Sequence, residues 1–221
     1  INLPEAGIHC KQFPELPGME YAVMRLHQLI AGEGTSLSEL VKLTVHVKKK
    51  RVTYPVLFSQ TVKGDDLQQV LTHSPERIEK IDHKNYSLLI LMAILINPED
   101  GKPDNYILQE FTNTDGDLSY RPVGIDNDHA FVEPLVRVML KKRVQVKTIL
   151  YCMNEMHLPL HPEAIEEFCH LDAGRVLLNW LIDLKQKNEA YATLFSKEEI
   201  KSFYEGKDEN SIWKRTIEEQ R

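Results

Sequence analysis

Asp100-Gly101-Lys102-Pro103-Asp104-Asn105-Tyr106-Ile107 and Ile125-Asp126-Asn127-Asp128-His129-Ala130-Phe131 decide the reading of this chain. The first stretch follows the most apolar run, Leu88 to Ile96. Nine residues are too few for a membrane span of about 20, so the run reads as a buried core helix. Asn97 to Asn105 is rich in turn formers and reads as a loop. Tyr106 to Phe111 and Tyr120 to Ile125 read as strands, joined by a polar hairpin tip at Thr112 to Asp117. Two acid-bearing segments therefore flank one hairpin.

Those segments hold what phosphoryl transfer requires. The reaction needs a carboxylate to orient the attacking hydroxyl, oxygen ligands that hold Mg²⁺ against the nucleotide phosphates, and a cation on the transferred charge. Asp100 would face the hydroxyl and Lys102 the terminal phosphate, with Asn105 and Asp126 on the metal. His129, beside this set, could touch the metal site and is read first as a packing residue. Asp128 offers either a second metal contact or a solvated acid. Alternation of side-chain direction in an extended turn favours solvent.

Asp100 to Asn105 has the Asp-x-Lys-Pro-x-Asn pattern of the catalytic loop of Ser/Thr protein kinases. Together with Ile125 to Phe131 it resembles more closely the atypical branch of the protein-kinase-like superfamily: type II phosphatidylinositol 4-kinases, the actin-fragmin kinase group and HipA-like kinases. Those relatives carry Asp-Asn-x-x-Ala-Phe where ordinary kinases have Asp-Phe-Gly. The resemblance implies an α+β, two-lobed protein-kinase-like fold. Residues 1–63 would form a small, strand-rich N-lobe with the hinge, and 64–221 a mainly helical C-lobe. It implies ATP and Mg²⁺ as cofactors and a kinase that phosphorylates a protein Ser/Thr hydroxyl. The alternatives are a phosphoinositide (lipid) kinase and a nucleotide-binding pseudokinase or interaction module of a larger protein.

Upstream, the resemblance assigns three further stations. Lys11, on a strand at Ile8 to Phe13, would hold the α- and β-phosphates. Glu20 opens the helix at Met19 to Ala31, where the ion-pair partner of that lysine lies in kinases. Tyr54 to Leu67 resembles the fifth strand and the hinge, so backbone groups near Gln60 and Val62 would pair with the adenine edge. Gly64-Asp65-Asp66 then forms a turn and cap for a helix at Leu67 to Leu71.

The chain also departs from the pattern. Only ten residues precede Lys11, too few for a glycine-rich hairpin, so the sequence reads as part of a longer polypeptide that carries the hairpin, or as a truncated N-lobe without it. Asn97-Pro98-Glu99 stands where ordinary kinases have His-Arg, which removes the usual anchor for an activation-loop phosphate.

The remaining chain fits this frame. Leu40 to Val47 and Arg51 to Val62 read as strands around the basic turn Lys48 to Arg51. Ala31-Gly32-Glu33-Gly34 stops the first helix. From about Leu135 the sequence reads as helices with irregular joins, clearest at Ala173 to Lys185, where Val176, Leu177, Trp180, Leu181 and Leu184 share a stripe. The 221 residues carry 27 Lys and Arg against 33 Asp and Glu, a net charge of −6. That balance excludes the basic footprint of a sequence-independent nucleic-acid binder. Three widely spaced cysteines, Cys10, Cys152 and Cys169, argue against a disulfide scaffold and for a reducing, cytoplasmic compartment.

Overall fold

In a computed structural model that describes residues 7–32, 34–113, 116–138 and 141–204, the chain is mixed α+β with three small antiparallel sheets. Glu33 and the centre of the Thr112 to Asp117 tip lie outside the described residues.

The first sheet comes from β1 (Ile8–Gln12), β2 (Ser38–Val47) and β3 (Lys50–Gln60), in the order β1-β3-β2. Two lysines make the tight turn between β2 and β3, Lys48 and Lys49, both with positive φ (47° and 66°). Such a two-residue turn has the twist that a hairpin needs. Between β1 and β2 runs α1 (Pro17–Ile30). Pro17 opens it at a position whose N–H would be an orphan anyway. Gly32, at φ 74°, follows it.

The second sheet has the order β4-β5-β6, from β4 (Asp65–Asp66), β5 (Tyr106–Thr112) and β6 (Leu118–Gly124). The Gly64-Asp65-Asp66 turn thus doubles as a short strand paired to β5. Asp66 also caps α2 (Leu67–His73), its carboxylate accepting the Gln69 N–H. Asp82 does the same for α3 (His83–Ile96), accepting the Asn85 N–H at 2.7 Å. Each such cap satisfies one donor that the first helical turn leaves unpaired, worth about 1 kcal/mol.

Residues past Leu135 do not begin as helix. Leu135–Val138 (β7) and Lys141–Val144 (β8) form a two-stranded ribbon. The alternation Leu135-Val136-Arg137-Val138 carries a strand period, short enough to pass for part of a helix. Two 3-10 turns, Ile149–Cys152 and Asn154–His157, then lead into α4 (Pro162–Cys169), α5 (Ala173–Leu194) and α6 (Lys197–Tyr204).

Apolar burial is concentrated in two clusters. The larger joins α2, α3 and the second sheet through Leu67, Val70, Tyr86, Ile90, Leu108 and Tyr120, and Leu150 closes it. The smaller joins α1 to α3 through Val23, Leu26, Met92 and Ile96, with Ala130 against them. Val176 and Trp180 of α5 pack on this second cluster. The stripe expected on α5 is therefore split: Leu177 and Leu181 are 51% and 58% exposed. A helix docked along one narrow line half-buries residues four apart, here 176 and 180, and turns their neighbours outward. In α3, likewise, Ile94 and Leu95 face solvent. No described helix is long and apolar enough to cross a membrane.

Candidate functional site

Lys11 is the fixed point of the site. It projects from β1, and its Nζ donates to Asp126 Oδ1 at 2.7 Å and to Asp128 Oδ2 at 2.8 Å. Asp126 has φ +53°, a left-handed conformation that Asp and Asn adopt more readily than other side chains. That turn replaces the extended chain on which alternation was argued. The solvent-facing expectation for Asp128 is thereby corrected: its side chain is only 8% exposed and ends on Lys11. Burial pulls the Lys11 pKa down, but hydrogen bonds and charge from Asp126 and Asp128 outweigh it and hold the ammonium well above the ordinary lysine value.

Glu20 lies in α1, in the same cluster, and the expected Lys11–Glu20 ion pair is replaced by the two aspartates. Its carboxyl is almost fully buried, accepts the Asn127 backbone N–H, and feels both aspartates. Burial first, and the charges of Asp128 and Asp126 with it, push its pKa up to about 7 against the Asn127 hydrogen bond and Lys11. A carboxyl that is partly protonated at neutral pH is a poor ion-pair partner, whereas Asp126 and Asp128 reach the lysine directly.

This shift has a sign that can be measured. The folded pKa exceeds the unfolded one, so the native state binds the extra proton between about pH 4.5 and 7. The stability Glu20 contributes is whole below that window and is lost as pH rises through it, at most about 3 kcal/mol. A Glu20→Gln variant studied by urea unfolding in chelator should lose this pH dependence, its stability overtaking wild type towards pH 7. Parallel curves for the two proteins from pH 4.5 to 7 would contradict the assignment.

The other two expected residue groups meet this cluster in one cleft, lined by Asp100, Lys102, Asn105, Asp126 and Asp128 among others. Backbone lacing fixes the two loops against each other. The Ile125 N–H donates to Asn105 O at 2.9 Å, Glu99 N–H to His129 O at 2.9 Å, and Phe131 N–H to Ile96 O at 2.5 Å. Asn97, left-handed at φ 37°, ends α3 and donates its side-chain amide to Val132 O. The Asn105 amide donates to Asp100 O at 2.5 Å, which holds the Asp100 backbone in place. Lys102 reaches Asp100 at 3.1 Å and Asp104 at 3.6 Å, with both ends of each pair about half exposed.

Gly101 makes the loop possible. It bridges to Thr148, and its carbonyl accepts the Ile149 N–H at 2.7 Å. A methyl at this position would collide with the Lys147 carbonyl oxygen and lie 2.7 Å from Thr148 Cα. Overpacking against backbone costs roughly 1–3 kcal/mol. Gly101→Ala is accordingly expected to lower the melting temperature by several degrees, read by differential scanning fluorimetry. An unchanged melt would show that the loop is not held there.

Sequence reasoning missed two features of the cleft. His129 sits between carboxylates, Nε2 at 3.2 Å from Glu15 and Nδ1 at 3.3 Å from Glu99. Burial lowers its pKa, but Asp128, Glu15 and Glu99 more than compensate and raise it. Asn127 donates its amide to Thr35 Oγ1 at 3.1 Å, tying the segment to the loop after α1. Glu15 and Thr35 lie in connections with no chemical signature of their own, so only the fold brings them here.

The Gln60–Val62 stretch lines a separate cavity with Thr35, Ser36 and Arg121. Here the expectation is narrowed. The Gln60 N–H donates to Leu37 O, and the Gln60 carbonyl accepts from Ser36 Oγ at 2.7 Å. At Gln60 only the second lone pair of that carbonyl is left for a ligand, while Val62 lines the same cavity.

Glu20, Asp126 and Asp128 bring carboxylate oxygens within 4.8 Å of one another. Hard oxygens in that number suit Mg²⁺ or another divalent cation of the same kind. Compared with protein-family models and with curated proteins, the chain matches none.

Proposed function

We propose that this chain is an ATP- and Mg²⁺-dependent phosphotransferase of protein-kinase-like fold, acting on a protein Ser/Thr hydroxyl. One observation carries the reading: Lys11 from the first sheet meets Asp126 and Asp128, more than a hundred residues later, at 2.7 and 2.8 Å. A phosphate-binding lysine on a strand, an acid-bearing helix after it and a metal-binding aspartate after a hairpin form the recurring set of protein kinases. The strand order β1-β3-β2, with α1 between β1 and β2, supports it. So does the shared cleft of the Asp100 loop and the Asp126 segment.

The roles follow from chemistry. Asp126 and Asn105 would hold Mg²⁺, with Asp128 and Glu20 beside them; when bound, the cation supplies charge neutralisation between the phosphates. Lys11 now serves the two aspartates as their counter-ion and would turn to the nucleotide phosphates. Asp100 orients the acceptor hydroxyl and accepts its proton. Lys102, already beside Asp100, neutralises charge on the transferred group. Most of the acceleration would come from positioning and preorganised charge.

Thermal melts with Mg-ATP, set beside transfer of labelled γ-phosphate to a serine- and threonine-containing protein, test this reading. At a hundredfold excess over the dissociation constant the melting temperature should rise by roughly 5–10 °C. Mg-ATP that stabilises no more than Mg²⁺ alone would overturn it. Stabilisation without transfer would leave a nucleotide-binding module.

A further inference from the structure

We propose that the β7–β8 ribbon is the docking surface for the acceptor, and that the acceptor is an extended, acidic protein segment around the target hydroxyl. The proposal rests on the phosphotransferase reading above and names its substrate class.

Charge comes first. Residues 135–147 hold Arg137, Lys141, Lys142, Arg143 and Lys147 and no acid, in a chain of net charge −6. A lone two-stranded ribbon is marginal in water and gains from a partner laid against it. Lys142, Arg143 and Lys147 are exposed, and no carboxylate of the described residues pairs with them. An anionic partner complements these exposed cations.

Position comes second. The Gln145 N–H donates to Pro134 O at 2.8 Å and closes the base of the ribbon. Three residues later Thr148 bridges to Gly101, the neighbour of Asp100. A segment lying on the ribbon therefore delivers its side chains beside the carboxylate that would orient the hydroxyl.

Form comes third. Among the described residues this sheet has two strands, so each presents an outer edge with no neighbouring strand. An extended peptide can add to such an edge, with backbone hydrogen bonds supplying affinity and side chains specificity. An anionic lipid surface offers charge but no strand, and the negative charge of the whole chain opposes it.

The test uses the whole chain and two fluorescent peptides, a central threonine flanked by glutamates and the same threonine flanked by lysines. Anisotropy is read with wild type, with Asp126→Asn, and with the double variant Lys142→Glu, Arg143→Glu. Wild type and Asp126→Asn should both bind the acidic peptide, more weakly as salt rises. The double variant should lose at least about tenfold in affinity for it and gain preference for the basic one. Its melt in Mg-ATP should stay that of wild type. Equal binding of the two peptides would overturn the proposal, as would binding to phosphatidylserine vesicles without binding to the acidic peptide. Because anisotropy needs no turnover, the two readings fail separately. Transfer without acidic preference sinks the docking surface alone; acidic binding with no transfer to any peptide sinks the phosphotransferase, and with it the acceptor role.

Discussion

Asp126→Asn is expected to lower phosphoryl transfer by about 10²–10³-fold, the usual cost of removing one preorganised charge contact in an active site. The substitution is a clean probe for three reasons. The side chain is 52% exposed, so no buried packing is lost. Asn accepts the left-handed backbone at φ +53° as readily as Asp, so no strain is introduced. One exposed hydrogen bond to Lys11 is weakened, a loss of at most about 1 kcal/mol, and repulsion from Asp128 and Glu20 is eased at the same time. The melting temperature without ligand should therefore stay within a degree or two of wild type. The stabilisation that Mg-ATP provides should shrink, because the lost charge is one that would hold the cation. Turnover retained at wild-type level would remove Asp126 from the mechanism.

Asp100→Asn should behave differently. A positioned general base is worth about 10²–10⁴-fold in rate. Asn105 grips Asp100 through its backbone carbonyl, so the loop keeps its frame when the carboxylate becomes an amide. Lys102 loses its nearer partner but keeps Asp104 at 3.6 Å. Turnover should fall by the stated factor while Mg-ATP raises the melting temperature as much as in wild type. The contrast separates the two acids: one variant loses rate and nucleotide stabilisation together, the other rate alone. If both variants lose nucleotide binding equally, Asp100 belongs to the metal and not to the acceptor.

Much of the framework was legible because its signals are local. Alternation marks β2, helical spacing marks α1, and the Gly64-Asp65-Asp66 turn caps α2. The two acid-bearing segments could be read as a pair because a hairpin was visible between them. What escaped depends on distance or on a single dihedral. The reversal at Asp126 turns Asp128 inward, and no neighbouring residue announces a positive φ there. Lys11 ends on these aspartates and not on Glu20, which is buried beside them, and burial is a property of the packed molecule. The β7–β8 ribbon spans four residues a side, too short for period two to outweigh period 3.6. On α5 the apolar residues were seen correctly, but which of them touch α1 is decided by the line along which the helices meet.

That meeting line has a consequence for how the chain acquires its structure. The Trp180 indole N–H donates to Ala22 O, Arg25 pairs with Asp183 at 2.6 Å, Lys187 with Glu39 at 2.7 Å, and the Leu40 N–H donates to the Tyr191 hydroxyl. Lys42 pairs with Glu199 in α6. Each of these contacts joins residues about 150 positions apart. Contacts of such separation repay their loop-closure entropy only late, so they slow folding. On the ribosome the β1–β3 sheet and α1 emerge well before their α5 cover is made. At a synthesis rate of about 5–20 residues per second that interval lasts roughly 6–30 seconds. During it the face of α1 that carries Val23 and Leu26 has no Trp180 or Val176 to pack against. The early part of this chain is therefore where a chaperone would be needed, and the synthesis of α5 is the event that ends the need.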